Sequence, residues 1–266
     1  MMADDRTDLL TEARLRAALG ARPFRFEPQV GSTNNIAHDW ALTGAPSGSV
    51  VLTEEQLTGR GRFGRGWSAP PGMALLMSVI LRPRIAGNRL ARLTMVGAVA
   101  VGEVLEGIAP GQVSLKWPND VWLAGRKVAG VLPEAIWQGD ALNAVILGIG
   151  LNVRVDFTNT PLADRAISVE TVTGWRVDRA VLLDNILRRI DYWSARVESS
   201  ALFERWRNWL VTIGQNVSVQ NVTADSVYMR AISGQAVDVD QDGALLIRAD
   251  DGTIQRVIAG EVTLAK

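Results

Sequence analysis

A segment rich in glycine and arginine, residues 59–67 (GRGRFGRGW), has the residue types best suited to binding an anion. Glycine permits backbone conformations that other residues resist, and arginine presents a planar cationic fork. The surrounding sequence is also basic, because residues 56–102 contain seven arginines and no Asp or Glu. In a chain with 28 basic and 28 acidic residues, this is a local positive field on a neutral protein. The segment therefore predicts a bound anion.

Several kinds of ligand fit these residue types. The spacing of Gly59, Gly61 and Gly64 matches a dinucleotide-binding fingerprint, but that fingerprint must open a helix, which the following Pro-Pro pair disfavours. Arginine, glycine and an aromatic residue together could bind single-stranded nucleic acid, although such segments are usually longer and repeated. The segment could also order around a phosphate-bearing ligand with Trp67 as a stacking face. The alternative without a ligand is a solvated basic loop.

Predicted strands position this loop and the other polar motifs. Residues 50–56 and 74–81 are apolar runs typical of buried strands. Residues 113–123 predict two strands around a proline break, and a hairpin returns through residues 126–132. Residues 144–151 are apolar on both faces, which predicts a central strand.

The rest of the chain predicts helices and then a small β-domain. The predicted helices are residues 8–19, a run ending at Thr43 after an N-cap at Ser32 or Thr33, and residues 89–106, 168–172, 178–197 and 201–210. The predicted strands after Gly214 are residues 216–220, 226–231, 236–239, 244–249 and 253–257, with Asp-Gly turn signals between them. We therefore expect two domains, residues 1–213 and an SH3-like β-barrel of residues 214–266.

The composition excludes several classes of site. The chain has no cysteine, so it has no disulfide, thiolate nucleophile or Cys-based metal site. His38 is the only histidine, which excludes a His-rich zinc site and disfavours a Ser-His-Asp triad. The N-terminal residues lack the pattern of a signal peptide, and no apolar run approaches the roughly 18 residues of a membrane span. We therefore expect a soluble, cytoplasmic protein.

Five motifs, in this order and spacing, resemble those of the biotin protein ligase family. They are Ser32-Thr33-Asn34, Gln56 with the loop of residues 59–65, Lys116-Trp117-Pro118-Asn119-Asp120, Arg126-Lys127-Val128-Ala129-Gly130, and Gly148-Ile149-Gly150-Leu151-Asn152. The C-terminal Gly260-Glu261-Val262-Thr263-Leu264 resembles the end of that family's small barrel. The resemblance extends from about residue 24 to the end of the chain. Its specificity comes from the combination of the Gly-Arg-Gly-Arg loop with Lys-Trp-Pro-Asn-Asp.

The resemblance implies an α+β fold with a mixed sheet, like that of class II synthetases and lipoate ligases, and a C-terminal SH3-like β-barrel. It implies a ligase that forms biotinyl-5′-AMP from biotin and ATP, and then transfers biotin to a lysine of a biotin carboxyl carrier domain of an acyl-CoA carboxylase. Some members add an N-terminal DNA-binding domain, but only about twenty residues precede the first catalytic strand here, too few for such a domain. We therefore expect a monofunctional ligase, monomeric or weakly dimeric, that binds neither nucleic acid nor membrane.

Residue by residue, the resemblance implies three overlapping sets of roles. The catalytic residues would be Lys127, Arg60, Arg62 and Asp120. The biotin-binding residues would be Ser32, Thr33, Asn34, Gln56, Arg60, Gly61, Arg62, Lys127 and Gly130. The residues that bind ATP and the adenylate would be Gly59, Arg62, Arg65, Trp67, Lys116, Asn119, Lys127 and Asn152. Mg²⁺ is the expected metal, held mainly by phosphates, so its protein ligands cannot be identified from the sequence.

Alternatives remain for individual residues and for the function. Asp120 could cap the turn at Pro118, and Lys116 could be a structural lysine. Phe63 and Gly66 stand where basic residues are common in repressor-type members, which lowers the charge of the loop. A lipoate or related acyl ligase could use the same fold. A non-catalytic module could instead bind nucleic acid through the basic segment.

Overall fold

The two strands predicted beside the glycine-rich loop are neighbours in one sheet. The computed structural model describes residues 9–220 and 231–264. Its helices are α1 (Glu12–Leu19), α2 (Thr33–Leu42), α3 (Ala91–Ile108), α4 (Val169–Thr173), α5 (Arg179–Ser194) and α6 (Ser200–Asn208). The strands of this sheet are β1 (Phe24–Val30), β2 (Val50–Gln56), β3 (Ala74–Leu81), β4 (Val113–Lys116), β5 (Asp120–Leu123), β6 (Arg126–Gln138) and β7 (Ala141–Asn152).

The sheet is mixed, which confirms the prediction. Its seven strands lie in the order β1-β2-β3-β7-β6-β5-β4. Strand β1 runs parallel to β2, and the other neighbouring strands are antiparallel. Strand β7 pairs with β3 on one side and β6 on the other, so the run that is apolar on both faces is central, as predicted.

Helices cover both faces of this sheet. Along β2, Val50 and Leu52 belong to a large core with α3 and α5, whereas Val51 belongs to a smaller core with α2. This alternation follows from the two-residue period of a strand. The close approach of α3 depends on Gly97, since a Cβ there would lie 2.7 Å from Cγ1 of Val131 on β6. The sheet is therefore buried between two helical layers.

The ends of several elements differ from the predictions. The hairpin strand predicted to end at residue 132 continues as β6 to Gln138, although Pro133 has no N–H to donate to the ladder. This extension brings Glu134 into the sheet, opposite Ile146 of β7. The ends of α3 and α5 also shift, because terminal turns depend on caps more than on periodicity. Among the described residues, no helix is long and apolar enough to cross a membrane.

An antiparallel sheet forms the C-terminal part of the chain, which confirms the predicted small β-domain. Its strands are β8 (Asn216–Gln220), β9 (Ala231–Val239), β10 (Leu245–Arg248), β11 (Ile254–Val257) and β12 (Glu261–Leu264), in the order β11-β10-β9-β8-β12. The strand predicted at residues 226–231 lies outside the described residues apart from Ala231, the first residue of β9. Strand β12 corresponds to the segment that resembles the end of the family's barrel.

Trp117 links the two sheets. This side chain is 1% exposed, and its indole Nε1 donates a hydrogen bond to the Gly243 carbonyl oxygen at 2.9 Å. Its backbone N–H donates to Thr212 Oγ1 at 3.0 Å. Between α6 and β9, Arg207 donates two hydrogen bonds to the Asp238 carboxylate, at 2.7 and 2.9 Å. The motif that contains Trp117 is therefore anchored to the C-terminal sheet as well as to β4 and β5.

A buried ion pair joins β2 to α5. Nη1 and Nη2 of Arg179 donate to the Glu54 carboxylate at 2.8 and 2.9 Å, and Nη1 also donates to the Ala74 carbonyl oxygen at 2.9 Å. Glu54 accepts further hydrogen bonds from the backbone N–H groups of Leu10 and Gly72. Because both charges are buried, removing the Glu54 carboxylate would deprive the Arg179 guanidinium of an anion that it contacts through both Nη atoms.

We predict that Glu54→Ala lowers the free energy of unfolding by about 3–5 kcal/mol, the usual cost of breaking a buried ion pair. Urea denaturation measures this loss directly. The control is Asp184→Ala, which removes a pair with Arg188 on the exposed face of α5 and should leave the midpoint nearly unchanged. Equal midpoints for Glu54→Ala and the wild-type protein would contradict the prediction.

Candidate active site

Side chains from all five sequence motifs line one cleft. Of the predicted site residues, those in the lining are Ser32, Thr33, Asn34, Gln56, Arg60, Gly61, Arg62, Arg65, Trp67, Lys116, Asn119, Asp120, Lys127 and Gly130. Met77, Leu132 and Ile149 add apolar surface, and Gly260, Glu261 and Val262 of the C-terminal domain also contribute. The cleft therefore combines hydrogen-bonding, apolar and charged groups from widely separated parts of the sequence.

A buried polar cluster lies where α2 begins. The backbone N–H and Oγ1 of Thr33 donate to Gln56 Oε1 at 2.9 and 3.1 Å. Ser78 Oγ, on β3, lies 2.7 Å from Thr33 Oγ1 and 2.6 Å from Asn34 Oδ1. Ser32 occupies the N-cap position without a side-chain capping hydrogen bond, so its hydroxyl is not used by the helix end. This end of the cleft can pair the polar groups of an uncharged ring.

Two glycines of β7 make room for side chains that lie against the sheet. A Cβ at Gly148 would lie 2.4 Å from Asn34 Oδ1, and one at Gly150 would lie 2.4 Å from Cε2 of Trp67. Both distances are too short for real contacts. A Cβ at Gly130 on β6 would be 3.1 Å from Cζ3 of the same indole ring. Alternating glycines in a central strand therefore mark the floor of the site.

The glycine-rich loop closes on itself through its backbone. The N–H of Gly61 donates to the Arg65 carbonyl oxygen at 2.7 Å, and that of Trp67 donates to Gly59 at 2.9 Å. Gly59 does not line the cleft. A Cβ at this position would lie 2.2 Å from the Trp67 carbonyl oxygen, so Gly59 permits the loop to close. Phe63, at the tip, has a φ of 57°, in the region that favours glycine.

Cations line the cleft beyond the polar cluster. They are Arg62, Arg65, Lys116 and Lys127, together with two carboxylates, Asp120 and Glu261, whereas Arg60 pairs with Glu134 beside the polar cluster. Lys127 Nζ lies 2.6 Å from Asp120 Oδ1 and 5.4 Å from the centre of the Trp67 ring. Arg65 forms an ion pair with Glu261 at the start of β12. With four cations and two carboxylates, this part of the cleft can accept an anionic ligand.

Burial changes the acidity of two of these cations. It lowers the pKa of the Lys116 amine below its ordinary value, an effect that Asp120 opposes. It also lowers the pKa of the Arg62 guanidinium, again against the attraction of Asp120. Both shifts show that the charged forms have lost part of their hydration. An anion that reaches this end would therefore find cations that are only partly solvated.

Three polar residues of the motifs have structural contacts that the sequence did not predict. Asn119 Nδ2 donates to the Val131 carbonyl oxygen at 2.9 Å, which braces β6 beside the cleft. Asn152 is buried outside the cleft, where its Nδ2 donates to the Ile167 carbonyl oxygen at 3.3 Å. The assignment of Asn152 to ATP binding therefore stays a prediction. Asp120 pairs with Lys127, which favours a role for Asp120 in the cleft over a role as a cap of the turn at Pro118.

The sequence analysis also missed functional candidates. Ser78 joins the polar cluster, and it could have been found because it is the polar residue in the otherwise apolar strand ALLMSVIL. Glu134 contacts both Asn34 and Arg60, but it lies beyond the predicted end of its strand. Glu261 was recognised within a motif without a role. Among the described residues, no group of three or more His, Cys, Asp or Glu side chains could hold a metal ion.

Sequence models of two families match the chain. The Biotin/lipoate A/B protein ligase family matches residues 26–152, which include the polar cluster, the glycine-rich loop and the central strands. The Biotin protein ligase C terminal domain matches residues 212–264, which include the C-terminal sheet. The two matches therefore cover the elements that line the cleft from both domains.

Individual relatives extend over most of the chain. The biotin–[acetyl-CoA-carboxylase] ligase of Paracoccus denitrificans is 35% identical over 234 residues, which cover 84% of this chain and 94% of the relative. The bifunctional ligase/repressor of Bacillus subtilis is 33% identical over 90% of this chain and 73% of its own length. The biotin protein ligase from Aquifex aeolicus in complex with biotin and ATP superimposes with a TM-score of 0.75 at 29% identity, covering 92% and 99% of the two chains. With its glycine-rich loop, polar cluster and C-terminal sheet, this chain belongs to the biotin protein ligase family.

Proposed function

We propose that the protein joins biotin to ATP as biotinyl-5′-AMP, with release of pyrophosphate, and then transfers biotin to a lysine of the biotin carboxyl carrier domain of an acyl-CoA carboxylase. One observation carries this proposal: a single cleft combines a buried cluster of hydroxyl and amide groups with five cations. Biotin has the matching chemistry, with a polar ureido ring at one end and a carboxylate at the other. The Aquifex aeolicus relative, solved with biotin and ATP, supports the same pair of substrates.

The first step brings two anions into contact. A biotin carboxylate oxygen attacks the α-phosphorus of ATP, and the bond to the β-phosphate oxygen breaks as pyrophosphate leaves. At about 4 Å and an effective dielectric constant near 20, each such pair of charges repels by about 4 kcal/mol. We assign Lys127, Arg60 and Arg62 to neutralise the carboxylate and the phosphate oxygens. No general base is needed, because the nucleophile is already ionised.

The ureido ring would bind at the polar cluster. Ser32, Thr33, Asn34 and Gln56 offer hydroxyl and amide groups that can pair its N–H and C=O groups. Burying the ring without such partners would be costly. This cluster also favours biotin over lipoate, because an apolar dithiolane ring would leave the buried protein groups unpaired.

The nucleotide would bind at the cationic end. We assign Trp67 to flank the adenine ring, and Arg65, Lys116 and Asn119 to the phosphate side. Gly59 would act indirectly, through closure of the loop. Mg²⁺ is proposed to enter with the triphosphate and to be held mainly by its oxygens and by water, a mode of binding that requires no cluster of protein carboxylates. It would neutralise part of the phosphate charge.

The mixed anhydride must be protected from water until transfer. Residues 60–63 and 65–67 line the same cleft as Gly260, Glu261 and Val262 of the C-terminal domain. A loop that orders over the adenylate would exclude water and retain the intermediate. The ion pair between Arg65 and Glu261 gives this cover a contact with the C-terminal domain. We propose residues 1–213 and 214–266 as the two domains.

In the second step, the acceptor lysine must lose a proton before it attacks the biotinyl carbonyl carbon and displaces AMP. We assign Asp120 to orient or deprotonate that amine. Its Oδ1 lies 2.6 Å from Lys127 Nζ. If Lys127 turns to the acyl phosphate, Asp120 is released to accept the proton, which then passes to solvent. Asp120 would thereby pair with Lys127 before the first half-reaction and accept a proton in the second.

The proposed activity predicts biotin-dependent exchange between ATP and pyrophosphate. Exchange should occur with biotin and Mg²⁺, and neither with lipoate nor without an added acid, because the polar cluster selects the ureido ring. Radiolabelled pyrophosphate entering ATP is the measurement. Exchange with lipoate instead of biotin would contradict the substrate, and a folded protein without exchange for either acid would contradict the activity.

We predict that Asp120→Asn separates the two half-reactions. The substitution preserves shape but removes the base, so biotin transfer to a carrier domain should fall by about 100-fold or more. Exchange between ATP and pyrophosphate should fall much less. Single-turnover transfer from preformed biotinyl-5′-AMP isolates the second step. The control is Arg126→Ala, which removes a neighbouring cation that donates to the Ala163 carbonyl oxygen and should preserve both steps. Equal losses in both steps for Asp120→Asn would exclude a specific role in transfer.

A further inference from the structure

One carboxylate connects the two groups of side chains in the cleft without lining the cleft itself. Glu134 lies on β6, and its side chain is 35% exposed. Its Oε2 accepts a hydrogen bond from Asn34 Nδ2 at 2.8 Å. Its two oxygens also lie 3.3 and 3.4 Å from Nη2 of Arg60. Glu134 therefore touches the polar cluster on one side and the glycine-rich loop on the other.

The contact with Glu134 determines how Asn34 presents its amide group. Asn34 is 4% exposed, and its Oδ1 lies 2.6 Å from Ser78 Oγ. An ionised carboxylate can only accept hydrogen bonds, so it must face the Nδ2 atom. A flipped amide would place Oδ1 against the carboxylate. Glu134 thus fixes the orientation of a side chain whose position already depends on Gly148.

The contact with Glu134 also restrains Arg60. The Arg60 side chain is 43% exposed, so the ion pair by itself adds little stability. Its effect is positional, because it holds the guanidinium of a loop residue beside the start of α2. Among the described ion pairs, Glu134 is the anion that the Arg60 guanidinium contacts. The Arg60 guanidinium would then already lie in the cleft when a ligand carboxylate or phosphate binds.

We propose that Glu134 is a positioning residue for the ligase reaction, which couples binding of the biotin ring at Asn34 to ordering of the loop through Arg60. The inference rests on the proposed function for the identity of the ligand. It adds that ligand binding at the polar cluster and ordering of the glycine-rich loop depend on each other. A ligand that engages Asn34 acts on the same carboxylate that holds Arg60, so the ring subsite and the loop share one partner.

The test compares Glu134→Gln with the wild-type protein. Glutamine keeps the shape and one acceptor oxygen, but it cannot offer two anionic oxygens to Asn34 and Arg60 together. The expected result is biotin binding weakened by about tenfold, as for loss of a charge-assisted hydrogen bond, with the KM for ATP within about twofold of wild type. Protease cleavage within residues 59–66, measured without ligands, should become faster.

The matched control is Glu55→Gln. The Glu55 carboxylate lies at the end of β2 and accepts from Gln29 Nε2 at 2.6 Å, so the same change there removes a nearby charge with different contacts. This variant should behave as wild type in all three measurements. Unchanged biotin affinity and unchanged cleavage in Glu134→Gln would overturn the inference. Equal weakening of biotin and ATP would also overturn it, since that result indicates general distortion.

The loop measurement separates this inference from the proposed function. A wild-type protein that does not bind biotin would overturn the proposed function. Cleavage of the ligand-free loop would still decide whether Glu134 holds Arg60, because that comparison requires neither substrate nor turnover.

Discussion

Repulsion between two anions is the constraint on which the arrangement of this site depends. A carboxylate can reach an α-phosphate only where fixed cations replace the water that would otherwise screen both groups. Here Arg60, Arg62, Lys116 and Lys127 converge from the glycine-rich loop, β4 and β6. Burial lowers the pKa of Lys116 and of Arg62, which shows that the protein has already desolvated part of this charge. The free energy of that desolvation is therefore part of folding and not of substrate binding.

The fold meets this constraint by separating two kinds of chemistry along one cleft. The central strands are apolar along most of their length, but Gly148 and Gly150 let Asn34 and Trp67 lie directly on the sheet. Polar side chains gather at the start of α2, and cations gather on the loop and the β4–β6 hairpins. The C-terminal sheet closes the cationic end, where Trp117 anchors it. A neutral ring and a charged tail can thus bind to one continuous surface.

Most of the site could be predicted from sequence because its motifs are local. The glycine-rich loop and the Lys-Trp-Pro-Asn-Asp segment each contain the residue types that the chemistry needs, and apolar runs indicated the strands that support them. Pairings across the sheet could not be predicted in the same way. Ser78 reaches Asn34, and Glu134 reaches Arg60, only after β3, β7 and β6 come together. Asn152 shows the same limit, since its motif could not reveal the hydrogen bond from its Nδ2 to the Ile167 carbonyl oxygen.

The central claim is that cations in this cleft recognise the charge of the biotin carboxylate as well as the shape of the molecule. The most direct measurement compares the affinities of biotin and its uncharged amide for the wild-type protein and for Lys127→Ala. If charge is recognised, the wild-type protein should prefer biotin, and Lys127→Ala should lose most of that preference while binding the amide almost as well as before. Equal weakening of both ligands by Lys127→Ala would contradict the account, because Lys127 would then contribute to the shape of the site and not to neutralising the carboxylate.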